Sequence, residues 1–312
     1  MTMKPIPAGM TTLATKIRGW IRLSRPAFYT VGLAPFALGT VAAWRTSDSF
    51  DGRVCILGAL VVILIMLATY QAGEYYDVVE DGMRRHSNPF AGGSGVVKEG
   101  ILSRKTALTT SVISLAAALA LSLILQFGLE RGSLTTTLTV AGAFFGFFYS
   151  AVPLRLVARG MGETAIGLCY GWLPVASAYY IQTGTVRPIV HILSLPIGLS
   201  IINVILVNEY PDYDDDRRSG KKNLLVRLGK SKGAILIAAV TGLLWLSAPL
   251  ILWCGLASRI LFLLLPALGL SSFVALSMIR GRYNEAGELK RLSLLTIAVN
   301  LGVTGSLFLS FP

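Results

Sequence analysis

Long apolar runs constrain this chain more than any other feature of its sequence. About 20 predominantly apolar residues in a helix are enough to cross the ~30 Å hydrocarbon layer of a membrane. Charged residues make up 14% of the chain, against roughly 25% in soluble domains. We therefore predict an all-α polytopic membrane protein, a single domain of residues 1–312 with about nine transmembrane helices bundled around a central cavity. The predicted spans are 27–44, 54–74, 106–129, 133–151, 161–182, 188–209, 233–254, 257–279 and 290–311.

The basic residues predict the orientation of these spans. With the N-terminus in the cytoplasm, 23 of the 28 Lys and Arg fall on the cytoplasmic side, where such residues concentrate in membrane proteins. The predicted outer side holds the other five, which are Arg45, Arg53, Arg131, Arg187 and Arg259. We expect a multi-pass protein of the cell (inner) membrane whose active site opens to the cytoplasm. The net charge of +12 favours contacts with anionic membrane lipids and anionic substrates over nucleic acid, because the basic residues form no single patch.

Two acidic segments, about 74–105 and 209–232, follow the second and sixth spans on the predicted cytoplasmic side. In the later one, Asn208, Asp212 and Asp216 are spaced four residues apart, which places them on one face of a helix. Asp77 and Asp81 have the same spacing in the earlier segment. Carboxylate and amide oxygens suit Mg²⁺, which proteins usually bind through one or two carboxylates together with substrate phosphates. The sequence thus predicts a magnesium site built from these five residues, although solvated acidic loops would give a similar pattern.

Basic and aromatic residues near these acids complete the predicted site. Arg218, Lys221 and Lys222 follow the second acidic group and could neutralise a diphosphate. Tyr76 and Tyr149 offer aromatic faces that could stabilise the carbocation left when an allylic lipid loses its diphosphate. Lys98 follows a glycine-rich segment, which would either cradle phosphate or serve as a flexible connector. A transporter that couples to a cation is the alternative, but transporter sites lie near the bilayer midplane rather than at helix ends.

Several motifs resemble the UbiA superfamily of intramembrane aromatic prenyltransferases along nearly the whole chain. The segment from Asn208 to Gly229, NEYPDYDDDRRSGKKNLLVRLG, is similar to the family's second Asp-x3-Asp motif and the basic run that follows it. The segment from Tyr149 to Glu163, YSAVPLRLVARGMGE, is similar to the family's Tyr-Ser-x2-Pro-x-Arg-Leu-Lys-x2-Gly-x-Gly-Glu run. The opening LSRPAFYTVGLAPFALGT resembles the family's first helix. The resemblance implies Mg²⁺-dependent transfer of a polyprenyl group from an allylic polyprenyl diphosphate to an aromatic acceptor.

The loop from Phe90 to Arg104, FAGGSGVVKEGILSR, is similar to that of the 1,4-dihydroxy-2-naphthoate polyprenyltransferases of menaquinone synthesis. That similarity implies a bicyclic aromatic acid as acceptor, with loss of its carboxylate on transfer. The chain departs from the family at Gly73, where the first motif has Asn, and at Val157, where the family has Lys. Arg155 or Arg159 would supply the charge missing at Val157. Another acceptor, or cyclisation of the prenyl chain, remains an alternative, and the sequence does not specify the prenyl length or the oligomeric state.

Overall fold

A computed structural model describes residues 12–78, 93–254 and 258–311, and all regular structure in these ranges is helical. The principal helices are α1 (Leu13–Ser24), α2 (Thr30–Ser47), α3 (Gly52–Tyr76), α4 (Arg104–Leu123), α5 (Leu134–Ser150), α6 (162–183), α7 (Pro188–Asn208), α8 (Tyr213–Arg218), α9 (Leu224–Leu228), α10 (Lys230–Leu250), α11 (Arg259–Ile279) and α12 (Ala286–Ser310). α6 is not uniform, because a π-helical turn, Gly167–Trp172, separates its two α-helical parts. A second π-helical turn, Ile124–Gly128, extends α4.

Polar residues begin and end these helices where the apolar runs meet the aqueous loops. The carboxylate of Asp51 accepts a hydrogen bond from the backbone N–H of Arg53 at the start of α3. Ser103 caps α4 by accepting from the N–H of Thr106. α6 ends at Gly184, whose φ of 71° is readily adopted only by glycine. Such caps satisfy backbone groups that have no partner within the helix.

The nine predicted apolar stretches each coincide with a helix in the described residues. Six helices in this part of the chain are long and apolar enough to cross a membrane, and a seventh span results if α1 and α2, bent by 48°, are counted together. α5 is shorter than such a span, and the π-helical turn interrupts α6. The protein is a multi-pass membrane protein. Nine spans, the single domain and the cytoplasmic N-terminus remain predictions.

Close helix packing leaves room for a cavity on one side of the bundle. α3 packs against α4 and α5, α2 packs against α6, and α7 lies against α6, α10 and α12. Gly171 of α6 faces Gly198 of α7 so closely that a Cβ atom on Gly171 would lie 2.5 Å from the Gly198 Cα. Small residues at such crossings let helix backbones approach in the membrane. The large apolar core surrounds α7, whereas the space between α2, α3, α5, α6 and α7 stays open.

Candidate active site

A cavity of about 620 Å³ opens between these five helices. One end is rich in charged groups, and most of the remaining wall is apolar. The acidic residues on the wall are Glu74, Asp77, Glu209, Asp212 and Asp216, and the basic ones among the described residues are Arg25 and Lys221. A polar head group and a long apolar tail would each find matching surface in this cavity.

The second acidic motif reaches the cavity from the end of α7. Asn208 is the last residue of α7, a turn follows, and Asp216 lies within the short helix α8. The chain is therefore not one continuous helix here, as the spacing alone would suggest, because Pro211 in the turn has no N–H to donate to a helical hydrogen bond. A backbone hydrogen bond of 2.8 Å from Asp216 N to Asp212 O still keeps these two residues one turn apart. All three side chains are buried and line the cavity.

The side chain of Asp216 is held in place by two buried neighbours. The Lys221 Nζ lies 3.3 Å from Asp216 Oδ1, and the Asn223 Nδ2 donates to Asp216 Oδ2 at 3.0 Å. Buried charges are normally paired and hydrogen-bonded in this way. The buried Oδ1 of Asn208 has no hydrogen-bond partner among the described residues. An unpaired buried acceptor on a residue that lines the same cavity as the carboxylates is suited to be a cation ligand.

The first acidic motif enters the same cavity through Asp77, which caps the C-terminal end of α3. The Ser150 hydroxyl at the end of α5 donates to Asp77 Oδ2 at 2.7 Å, and Arg155 NH2 lies 3.6 Å from Asp77 Oδ1. Asp81, the other predicted ligand of this motif, lies outside the described residues. The structure thus brings Asp77, from one motif, to the cavity that Asn208, Asp212 and Asp216 line from the other.

Two residues of α3 beside Asp77 also line the cavity. A Cβ atom at Gly73 would lie 3.7 Å from Ser150 Oγ and 3.8 Å from Asp77 Oδ2, which is ordinary van der Waals contact. A Cβ atom therefore fits at Gly73. Glu74 is buried, and its Oε1 accepts a hydrogen bond from the backbone N–H of Ser94. This bond connects the end of α3 to the segment 93–102.

The other predicted site residues lie around the cavity or away from it. Tyr149 lines the wall, whereas the ring of Tyr76 packs edge-on against Phe147 and is not part of the wall. Lys98 lies in the segment 93–102, and Lys222 is exposed. Arg218 pairs with Asp215 at 3.3 Å on the surface, and Arg159 donates to the backbone oxygen of Pro153. The roles predicted for these residues stay predictions.

Two buried glutamates flank the second motif. Glu163 at the start of α6 accepts a hydrogen bond from the backbone N–H of Leu224, which joins α6 to α9. Glu209 lies just beyond α7, and its burial together with the neighbouring Glu163 raises its pKa well above the usual range for a carboxyl group. Bound cations would oppose that effect, because they stabilise the ionised form.

Sequence reasoning missed three residues at this site: Arg25, Ser150 and Asn223. Ser150 contacts Asp77 across 73 positions of the chain, and no local spacing signals such a contact. Asn223 is the N-cap of α9, and its place in the sequence indicates only that capping role. Arg25, which lines the cavity, stands in the Arg-Pro pair that opens the first apolar stretch.

The residues present fit a divalent cation in their chemistry. Asn208, Asp212 and Asp216 offer hard oxygen atoms from the segment at the end of α7, and Asp77 offers a carboxylate from the end of α3. No group of three His, Cys, Asp or Glu side chains converges on one point within the described ranges. A magnesium site does not require such a group, because Mg²⁺ takes few protein ligands and completes its coordination shell with water and phosphate oxygens.

Two relatives of this chain have a naphthoate or a naphthoquinone in their names. It is 26% identical over 245 residues to 1,4-dihydroxy-2-naphthoate octaprenyltransferase of Bacillus subtilis, covering 77% of this chain and 76% of that protein. It is 25% identical, over the same number of residues, to 2-carboxy-1,4-naphthoquinone phytyltransferase of Synechocystis sp., with 78% and 76% covered.

Solved structures share the fold at low sequence identity. A digeranylgeranylglyceryl phosphate synthase superposes with a TM-score of 0.68 at 17% identity, covering 95% of this chain and 98% of the other. A UbiA homologue from Archaeoglobus fulgidus bound to GPP and Mg²⁺ gives 0.61 at 16% identity, covering 92% and 99%. The sequence profile of the UbiA prenyltransferase family matches residues 32–299. The chain belongs to the UbiA prenyltransferase family and is a prenyltransferase.

Proposed function

We propose that this protein transfers a polyprenyl group from an allylic polyprenyl diphosphate to 1,4-dihydroxy-2-naphthoate, with release of diphosphate, as a step of menaquinone biosynthesis. The observation that carries the proposal is the shared cavity. Acidic residues from the ends of α3 and α7 line one end of it, and apolar side chains cover most of the rest. A lipid diphosphate has the same division into a charged head and an apolar tail.

Magnesium would be held by Asn208, Asp212 and Asp216 of the second motif and by Asp77 of the first, together with Asp81, which lies outside the described residues. When bound, Mg²⁺ supplies positive charge that stabilises the diphosphate as a leaving group. The unpaired Oδ1 of Asn208 supports this assignment, since a buried acceptor without a partner is costly until a ligand binds.

The residues of the chain itself position the donor. Asn223 and Lys221 hold the Asp216 carboxylate, while Ser150 orients Asp77. Lys221 adds a buried positive charge near the leaving diphosphate. The ring of Tyr149 lines the cavity, where its π face can stabilise a developing allylic cation without reacting with it. The apolar wall excludes water, which would otherwise capture that cation.

The choice of acceptor rests on the names of the relatives. Two of them carry 1,4-dihydroxy-2-naphthoate or 2-carboxy-1,4-naphthoquinone in those names. We place the reaction at the cytoplasmic side of the cell membrane, because the distribution of Lys and Arg puts both acidic segments there.

Purified protein supplied with Mg²⁺, an allylic polyprenyl diphosphate and 1,4-dihydroxy-2-naphthoate tests the proposal. Mass spectrometry should detect demethylmenaquinol, formed with loss of the acceptor carboxylate as CO₂, or the demethylmenaquinone that oxygen in air produces from it, together with released diphosphate. All of these products should disappear with EDTA. Diphosphate release accompanied by a cyclic hydrocarbon, or by a prenylated product only from another aromatic compound, would replace this acceptor. Absence of diphosphate release with every acceptor would overturn the proposal.

A further inference from the structure

The cavity wall contains a basic residue that the diphosphate site does not use. Arg25 and Lys221 are the two basic residues that line the cavity within the described part of the chain. Lys221 is paired with Asp216, whereas no described carboxylate lies within ion-pair distance of the Arg25 guanidinium. Arg22, one turn earlier, is by contrast paired with Glu99 at 2.6 Å. A half-buried guanidinium that faces a cavity without a counter-ion is suited to an anionic ligand.

Aromatic rings surround this guanidinium. The Arg25 Cζ lies 4.6 Å from the centroid of the Phe28 ring and 5.5 Å from that of Tyr70. Phe28 and Tyr70 meet edge-to-face with centroids 6.5 Å apart, and both line the cavity, as does Tyr170. Contact with ring faces restricts where a guanidinium can lie, and its planar fork favours a carboxylate bound through two parallel hydrogen bonds.

The backbone at Arg25 directs the side chain to this position. α1 ends here, and Arg25 adopts φ 49° and ψ 55°, in the left-handed region that is uncommon for residues other than glycine. Pro26 follows directly and starts a short 3₁₀ turn that leads into α2. The chain therefore bends by 48° between α1 and α2, and the guanidinium at the bend lies over two rings of the cavity wall.

Arg25 is separated from the predicted diphosphate end along α3. Tyr70 and Asp77 are seven residues apart, which is about two helical turns, or ~10 Å, on the same helix face. Gly73, between them, also lines the cavity. An anion at Arg25 is therefore a different group from a diphosphate bound at Asp77, and the cavity surface between the two positions could accommodate a flat ring.

We infer that Arg25, stacked on Phe28 and Tyr70, binds the carboxylate of the aromatic acceptor and makes the enzyme selective for aromatic acids. The inference rests on the proposed function and names the residue that selects the acceptor. The acceptor ring would lie among Phe28, Tyr70 and Tyr170, next to the reactive end of the donor. A lipid phosphate is the rival ligand, since Arg25 lies near the predicted membrane surface.

Kinetics with two acceptors test the inference. The probes are 1,4-dihydroxy-2-naphthoate and naphthalene-1,4-diol, which has the same ring and hydroxyl groups without the carboxylate. For Arg25→Gln we expect the KM for the acid to rise about 10- to 100-fold, the usual effect of losing a hydrogen-bonded charge. The KM for the polyprenyl diphosphate and the Mg²⁺ dependence should stay unchanged. The preference for the acid over the diol should largely disappear.

Two further variants separate binding from folding. Arg25→Lys keeps the charge but lacks the planar fork, so its KM for the acid should lie between wild type and Arg25→Gln. Arg104→Gln is the matched control. The Arg104 Cζ lies 4.3 Å from the ring centroid of Tyr75 on α3, the helix that also carries Tyr70, but Arg104 does not line the cavity. This variant should keep the wild-type preference for the acid.

Distinct outcomes separate this inference from the proposed function. An unchanged preference in both Arg25 variants, or an equal rise in the KM of the donor, would overturn the role of Arg25. Activity that depends on Arg25 only in nanodiscs containing phosphatidylglycerol, and not in phosphatidylcholine alone, would assign it to lipid instead. If the wild-type enzyme prenylates neither the acid nor the diol, the proposed function itself fails.

Discussion

At the scale of single residues, Asp212 provides a test of the predicted magnesium site. It is buried and lines the cavity. We expect Asp212→Ala to lower turnover about 100- to 1000-fold, as the loss of one stabiliser of transition-state charge commonly does. Asp214→Ala is the control, because Asp214 is exposed and pairs with Lys230. Wild-type turnover in Asp212→Ala would remove this residue from the site.

Gly73 allows the opposite experiment, a gain of function. Its position beside Ser150 and Asp77 leaves room for a Cβ atom. Gly73→Asn would restore the amide that the family has in its first motif, so we expect half-maximal activity at a lower Mg²⁺ concentration. Gly73→Ala is the control, since it should stabilise α3 by about 0.5–1 kcal/mol without supplying a ligand. If both variants shift the Mg²⁺ titration equally, the amide has no part in the effect.

At the scale of elements, α1 is joined to the segment 93–102 beside the cavity. Arg22 donates to Glu99 at 2.6 Å and to the backbone oxygen of Ser94 at 2.7 Å. The N–H of Ser94 in turn donates to Glu74 on the cavity wall. Below these polar contacts, Leu23, Val96 and Leu102 form a small apolar cluster. A helix with exposed Ile17 and Ile21 is thus coupled to a segment next to the predicted diphosphate site.

Arg22→Ala should loosen that segment without unfolding the protein. The Arg22 and Glu99 side chains are 43% and 41% exposed, and ion pairs this exposed contribute only about 0.2–1 kcal/mol. We therefore expect faster hydrogen exchange of the amides of Glu99 and Ile101, whose backbone hydrogen bonds close the turn, with an unchanged melting temperature. Arg18→Ala, on the exposed side of α1, is the control. Equal exchange rates in Arg22→Ala and wild type would mean that the apolar cluster alone holds the segment.

At the scale of the whole molecule, the sequence predicts the helices better than the contacts between them. Apolar length alone gave α3, α7 and α12 to within a few residues, because each is built around a long apolar run and its charged residues lie near its ends. The break of α6 at Gly167–Trp172 was not predicted, since a π-helical turn has no marker in the hydrophobic pattern. Four-residue spacing did predict that Asp212 and Asp216 would lie together. It could not identify Ser150 or Arg25 as cavity residues, because tertiary packing alone brings these distant parts of the chain together.

The orientation of the molecule is a prediction that labelling on intact cells can test. The bias of Lys and Arg requires an odd number of spans between the N-terminus and the loop at Glu130, and an even number between the N-terminus and the turn at Ser219. In a background where Cys55, Cys169 and Cys254 are replaced by Ala, Glu130→Cys should react with a membrane-impermeant maleimide. Ser219→Cys should react only after the cells are opened.

Different labelling patterns would point to different errors. The reverse pattern would place both acidic segments on the outer face and overturn the cytoplasmic site. We predict three spans between the two positions, namely α5, α6 and α7. Labelling of both positions from outside would instead mean that the number of spans between them is even. Because α6 contains a π-helical turn and α5 is only 17 residues long, these two helices are where such a miscount would arise. The labelling pattern thus tests whether α5 and α6 each cross the membrane.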